Sequence, residues 1–245
     1  MSLQIYSHLP LPSHLAHMQT TFRQPETPIF LHYDETGLSL CKTGQKGRVR
    51  VDFVDGAARY RRTKGGGELI AKAIQHTTRP NVWDATGGLG RDSFVLASLG
   101  LNVRTFEQNP AVFALLIDGL TRALCHPETA QIAARITLIH GNAAQLLPEH
   151  TAMYGKPDVV YLDPMYPARQ KSAAVKKEMA YFHELVGLPE IVDNDALLKA
   201  ACAAARHRIV VKRPRLGKYL CEKIPAYQYS GKSTRFDVYL PFQAA

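Results

Sequence analysis

Residues 81–92, read NVWDATGGLGRD, decide the fold. The apolar stretch at 81–83 opens a short strand. The glycines at 87, 88 and 90 then make a tight turn, and residues 92–99 have helical spacing stopped by Gly100. Strand, glycine turn and helix form the first half of a βαβ unit. Glycines in such a turn let a ligand approach the backbone, and the helix N-terminus offers unbonded N–H groups. In a doubly wound sheet this turn lies at the carboxyl edge of the strands, where ligands bind. Any tight strand-to-helix connection could use the same glycines, so the turn alone does not identify a ligand.

The pattern continues outward from this unit. Short apolar runs at 103–106, 136–139, 159–162, 209–211, 226–229 and 236–240 read as strands, and 110–124, 173–186 and 195–205 read as helices. Asn109-Pro110 supplies an N-cap and a first-turn proline for the helix at 110–124. Seven strands alternating with helices predict an α/β chain with a mostly parallel sheet. The last two strands are separated by little more than Ser230-Gly231-Lys232-Ser233, which predicts a terminal antiparallel hairpin. Upstream the texture differs. Pro10, Pro12, Pro25 and Pro28 punctuate a polar lead-in, and alternating runs at 29–33, 37–40 and 48–53 predict short antiparallel strands before a helix at 68–75. The chain is therefore divided into a small β-rich appendage with its lead-in helix, residues 1–80, and a main domain, residues 81–245.

Composition narrows the classes. With 46% apolar and 21% charged residues in 245, the chain is neither disordered nor too short for a large core. No run of about 18 apolar residues suggests a membrane span, and the first residues lack the pattern of a secretory signal. Cys41, Cys125, Cys202 and Cys221 are far apart, which predicts reduced thiols in a cytoplasm rather than a disulfide framework. Ten histidines show no H-x-x-x-H spacing, and no metal site is expected. The formal net charge is +9, which favours a polyanionic partner through counterion release. Residues 42–64 hold eight basic and two acidic side chains, and residues 206–218 hold six basic and none acidic.

Two further features carry chemistry. Glu107 ends the second strand about twenty residues after the glycine turn, where an acid can accept both hydroxyl hydrogens of a ribose. Asp84, Gly88 and Gly90 are the matching cofactor candidates in the turn. NAD, FAD and S-adenosylmethionine all fit this combination. A dinucleotide fingerprint starting at Gly88 wants glycine at position 93, where Ser93 stands. The third feature is Asp163-Pro164-Met165-Tyr166-Pro167, a rigid loop directly after a buried strand. The exocyclic amine of a base is a poor nucleophile, because its lone pair is delocalised into the ring. A carboxylate (Asp163) and a backbone carbonyl (Pro164) can hold its hydrogens and aim the lone pair, while Tyr166 stacks on the extruded base.

Asp84–Gly90, Glu107 and Asp163–Tyr166 resemble the motifs of class I S-adenosylmethionine-dependent methyltransferases that act on amino groups. The blocks DATGGLGRDSFVLASLG (84–100), NP (109–110), VVYLDPMYP (159–167), KSAAVKKEM (171–179), VVKRP (210–214) and RFDVY (235–239) are similar to the RsmJ family. The similarity runs from about Lys64 to Leu240. It implies a Rossmann-like methyltransferase fold, S-adenosylmethionine as cofactor, and methylation of a guanine N2 in small-subunit (16S) ribosomal RNA, naked or in the small subunit. It also implies cofactor contacts at Arg91, Asp92, Glu107, Gln108, Asn142, Ala143 and Asp163. RNA contacts are expected from Arg61, Arg62 and Lys64, from Lys171 with Lys176 and Lys177, and from Lys212 and Arg213. The residues leave rivals open: an amino-methyltransferase of DNA adenine or protein glutamine, an NAD-dependent oxidoreductase, and a catalytically silent RNA-binding protein.

Overall fold

The structure, a computed structural model of the chain, describes residues 4–54, 68–165 and 191–242. Seven strands make the main sheet: β6 (Val82–Asp84), β7 (Val103–Glu107), β8 (Ile136–His140), β9 (Val159–Leu162), β10 (Arg208–Pro214), β11 (Tyr227–Ser230) and β12 (Thr234–Tyr239). Their spatial order is β11-β12-β10-β9-β6-β7-β8. The five strands from β10 to β8 run parallel, and β12 lies antiparallel between β10 and β11. The chain starts the sheet at β6, builds outward to β8, and returns to β9 on the other side of β6. The switch point is thus the gap beyond the ends of β6 and β9, where a crevice must open.

Strand parity sorts the core into two faces. Trp83, Val160, Leu162, Ile209 and Val211 point to one face, packing with Leu147, Leu198 and Cys202. Val82, Tyr161 and Val210 point to the other, with Ile70, Leu96, Phe236 and Val238. The helices that cover the sheet are α1 (Glu68–Ile74), α2 (Arg91–Ser98), α3 (Pro110–Leu124), the short α4 (Ala130–Ala133), α5 (Ala143–Tyr154) and α6 (Ile191–Ala204). The start of α3 is as its sequence dictates. The Asn109 side chain accepts from the Ala111 and Val112 amides at 3.0 and 3.2 Å, and Pro110 occupies the first turn. Val112, Leu115, Leu116 and Leu120 are buried, each contributing roughly 1.5–3 kcal/mol.

Much of that burial is against the N-terminal residues. A second sheet of five strands, ordered β2-β1-β3-β4-β5, comprises β1 (Gln4–Tyr6), β2 (Gln19–Thr21), β3 (Ile29–Asp34), β4 (Gly37–Lys42) and β5 (Arg48–Val49). The expectation of purely antiparallel strands holds for β3, β4 and β5. It is corrected for β1, which pairs parallel with both β2 and β3 inside what reads as a polar lead-in. The run at 48–53 also departs from expectation. Only Arg48–Val49 stays in the sheet, because Val51 and Phe53 leave it to become buried against α3 and α2.

A polar rivet fastens the sheet to α3. The buried Asp118 carboxylate accepts from the Leu38 amide (3.0 Å), from Arg122 Nε (2.9 Å) and from His14 Nε2 (3.3 Å). Arg122 in turn donates to the Val51 carbonyl. Phe53 stacks on Phe94 of α2 with ring centroids 4.2 Å apart.

Candidate active site

The crevice at the switch point is a cavity of about 940 Å³, near the upper end of the roughly 300–1,000 Å³ usual for small-molecule sites. Three chain-distant segments converge on it: the glycine turn, the end of β7, and the residues after β9. Asp84, Gly88, Arg91, Asp92, Glu107, Gln108, Asn142, Ala143, Asp163 and Pro164, all singled out from the sequence, line this one space.

The glycine turn is held tightly against β7. The Gly87 amide donates to the Phe106 carbonyl at 2.8 Å, and a Cβ at position 87 would lie 2.8 Å from Thr105 Cγ2. The Gly88 amide donates to Glu107 Oε2 and the Asn109 amide to Glu107 Oε1, both at 2.7 Å. Glu107 is therefore oriented by backbone on both oxygens. Each oxygen keeps a further lone pair for a hydroxyl donor. Burial pushes its pKa up, and these amides oppose the rise. Asn142 caps α5 by accepting from the Ala144 amide at 2.9 Å, which sets it and Ala143 at the cavity wall.

Gly90 needs correction. It does not line the cavity. It adopts φ +70° at the start of α2, and a Cβ there would meet Leu116 Cδ1 at 2.4 Å. Glycine is required by the left-handed turn and by core contact with α3, not by a ligand.

Asp84 is also more scaffold than contact. Its buried carboxyl accepts from the Thr86 amide (3.0 Å), the Thr86 hydroxyl (3.2 Å) and the Ser93 hydroxyl (2.5 Å). Burial raises its pKa to about 7, with the Ser93 and Thr86 bonds opposing. Ser93, which in the sequence only weakens a dinucleotide reading, is thus a member of the site's framework. It bonds Thr105 as well, at 2.8 Å. Thr86 passes the order on by accepting the Asp163 amide at 2.6 Å. Ser93, Asp84, Thr86 and Asp163 form one hydrogen-bonded chain from α2 to the loop after β9.

The second framework residue is Lys212. Its ammonium donates to Asp92 Oδ2 at 2.6 Å and to Asp163 Oδ2 at 2.8 Å, while the Tyr161 hydroxyl donates to the same Asp92 oxygen at 2.7 Å. Burial alone would lower the Lys212 pKa, but Asp92 and Asp163 outweigh it and keep the ammonium protonated. Burial raises the Asp163 pKa above the usual carboxylate range, and Lys212 offsets only part of the rise. Tyr161 is pushed well above the usual tyrosine range by burial and by Asp92 and Asp163, so it serves as a donor.

Lys212 and Arg213 were expected to grip RNA, and the structure places them otherwise. Lys212 shares the parity of Val210, so it points to the α2 face and into the cavity. Arg213 shares the parity of Val211. It is buried, with Nε donating to the Lys218 carbonyl at 3.0 Å. Tyr166, Lys171, Lys176, Lys177, Arg61, Arg62 and Lys64 lie outside the described residues. No helix of the described residues is long and apolar enough to cross a membrane, and none of their side chains group as a metal site.

The residues suit S-adenosylmethionine. Glu107 could accept from ribose hydroxyls, and the glycine turn would admit close backbone approach; Asp92 and Asp163 together outnumber the one Lys212 ammonium between them, which leaves the cavity open to a cationic donor. Comparison with known proteins agrees. The profile of a family of SAM-dependent methyltransferases (SAM_MT) matches residues 14–241. The ribosomal RNA small subunit methyltransferase J of Neisseria gonorrhoeae is 63% identical over 220 residues, covering 90% of this chain and 87% of that protein. Its counterpart in Colwellia psychrerythraea is 47% identical over 234 residues, covering 93% and 84%. The crystal structure of a SAM-dependent methyltransferase from Neisseria gonorrhoeae superposes with a TM-score of 0.83 at 53% identity, over 99% of this chain and 97% of that one.

Proposed function

We propose, for a chain that belongs to the ribosomal RNA small subunit methyltransferase J family of SAM-dependent methyltransferases, that it methylates the exocyclic N2 amine of a guanine in small-subunit ribosomal RNA. The observation that carries this reading is the meeting of the glycine turn, Glu107 and Asp163 in one cavity. When bound, S-adenosylmethionine supplies a methyl group already activated by its positively charged sulfur.

The remaining work is positioning. Holding amine and methyl group in line can contribute roughly 7–11 kcal/mol of the barrier. Asp163 is suited to this because its carboxylate opens onto the cavity while Lys212 and the Thr86 hydroxyl fix its side chain and backbone. It accepts one N–H of the amine, the Pro164 carbonyl accepts the other, and Tyr166 stacks on the base. The lone pair is then directed at the methyl carbon. Asp163 orients the amine and need not take its proton, because the nitrogen becomes acidic only once it is alkylated.

The test is Asp163→Ala. The variant should stay folded, with an unchanged circular-dichroism spectrum, yet transfer no tritiated methyl group to small ribosomal subunits lacking the modification even at saturating S-adenosylmethionine. Turnover within a few-fold of the unaltered protein would refute the mechanism. Transfer to DNA or to a protein glutamine in place of RNA would refute the substrate. Mass mapping of the product locates the methylated atom.

A further inference from the structure

The connection from β10 to β11 leaves the sheet at the same edge as the cavity, and it carries an outward face the proposed chemistry does not use. Arg215, Lys218 and Lys223 are exposed there. Leu216 and Ile224 are the most exposed large apolar residues described, at 79% and 82%.

The segment is nevertheless firmly built. Two buried arginines grip its backbone from beneath: Arg213 donates to the Lys218 carbonyl, and Arg235 Nη1 to the Arg215 carbonyl at 2.8 Å. Arg235 is itself fixed by two bonds to Asp237, and its guanidinium lies 4.9 Å from the centre of the Tyr219 ring. The Tyr239 hydroxyl donates to the Lys223 carbonyl at 2.9 Å. Cys221 and Glu222 both hold left-handed backbone, at φ 51° and 56°, a conformation that persists only where surroundings enforce it.

This platform is joined to the cavity. The Arg215 amide donates to the Ser233 carbonyl at 3.0 Å, and the turn Gly231-Lys232-Ser233 lines the cavity wall. The side chains of Arg215 and Lys232 have no carboxylate partner among the described residues. They belong to the two segments that this backbone bond joins, and Lys232 itself lines the cavity.

We propose that residues 214–224, with the 231–233 turn, are a docking face for the RNA strand flanking the target nucleotide. Arg215 and Lys232 take its phosphates, and Leu216 packs against an unstacked base. A single RNA strand fits this combination of unpaired cations and a protruding apolar side chain. The inference rests on the RNA substrate proposed above and assigns part of its surface.

The test measures binding to deproteinised small-subunit ribosomal RNA from cells lacking the modification, over 50–200 mM salt, with S-adenosylhomocysteine present. Each phosphate contact on a single strand contributes about 0.7 to the slope of log affinity against log salt. Arg215→Glu/Lys232→Glu should therefore flatten the slope by at least about 1.4 and raise the KM for RNA. Arg215→Glu alone, at a residue outside the cavity lining, should flatten the slope by about 0.7 and leave the thermal shift with S-adenosylhomocysteine unchanged. Leu216→Ala should weaken binding without altering the slope. Lys156→Glu, at the opposite sheet edge, is the control and should do neither. An unaltered slope and KM in the double variant, with the parent protein methylating RNA normally, overturns the docking face and leaves the function standing. The KM is read on small ribosomal subunits as well, and a parent protein that binds S-adenosylhomocysteine but methylates neither the RNA nor those subunits overturns both.

Discussion

Asp84→Asn should change how stability depends on pH far more than it changes stability at any one acidic pH. In the folded protein the Asp84 carboxyl is enclosed and its pKa is about 7, against 3.8 in an unfolded chain. Between those values the folded state binds more protons than the unfolded state, so stability falls as pH rises. The full difference of about three units corresponds to about 4 kcal/mol, present below pH 4 and lost once pH exceeds 7. About 2.5 kcal/mol of it falls between pH 5 and pH 8. Asparagine keeps an oxygen for the Thr86 amide, and its NH2 can donate to the Ser93 hydroxyl, which can still bond Thr105. It removes only the titration. Thermal melts of both proteins at half-unit steps from pH 5 to 8 provide the measurement. The variant should gain on the parent by about 5–10 °C across that range, taking roughly 2–4 °C per kcal/mol for a chain of this size. Two melting curves that move in parallel would mean Asp84 does not titrate in this window, and the account of a buried, mostly neutral carboxyl would be wrong.

Three further outcomes follow from the same geometry. Lys212→Met removes the cation that counteracts burial at Asp163, so the Asp163 pKa should rise and the acid limb of the kcat/KM profile should move to higher pH; an unmoved limb would detach Lys212 from the reacting carboxylate. Glu107→Gln should weaken S-adenosylhomocysteine binding about 10- to 100-fold by calorimetry, and it should also lower the melting temperature by a few degrees, because the glutamine NH2 would face one of the two backbone amides that the carboxylate now accepts. Arg122→Ala leaves Asp118 without its cation and Val51 without its donor, and should cost about 2–3 kcal/mol in urea titrations, with faster hydrogen exchange at the Leu38 amide; normal protection of Leu38 would show that the N-terminal sheet does not need this anchor.

The sequence is most readable where a signal is local. Asn109-Pro110 caps α3 as its residue types require, and the continuous apolar runs at β9 and β10 are buried on both faces, as interior strands of a sheet covered by helices must be. That Gly88 and Glu107 meet at one cavity could be read for the same reason, because both are tied to a fixed strand-turn-helix geometry. Signals that depend on partners far along the chain were not legible. Strands of three residues, such as β1 and β2, have no period to detect: β1 is a strand through pairing with β3, and β2 through pairing with β1. Lys212 and Arg213 look like any basic pair until their parity against Val210 and Val211 is known. That parity turns one into the cavity and buries the other. The packing role of Gly90 and the framework role of Ser93 are not legible in the sequence, because they lie in contacts with Leu116 and Asp84 that only the fold brings about.

The position of β12 has a consequence for how the enzyme is made. A ribosome delivers this strand after the other eleven described here, yet it sits inside the sheet, paired from Ile209 to Pro214 on one side and with β11 on the other. Until it emerges, β10 offers a bare apolar border that invites pairing with stray chains. Thr234 and Phe236, which wall the cavity, are also missing until then. A nascent copy halted before Thr234 should therefore be sticky and inert at once, so activity waits on the delivery of β12.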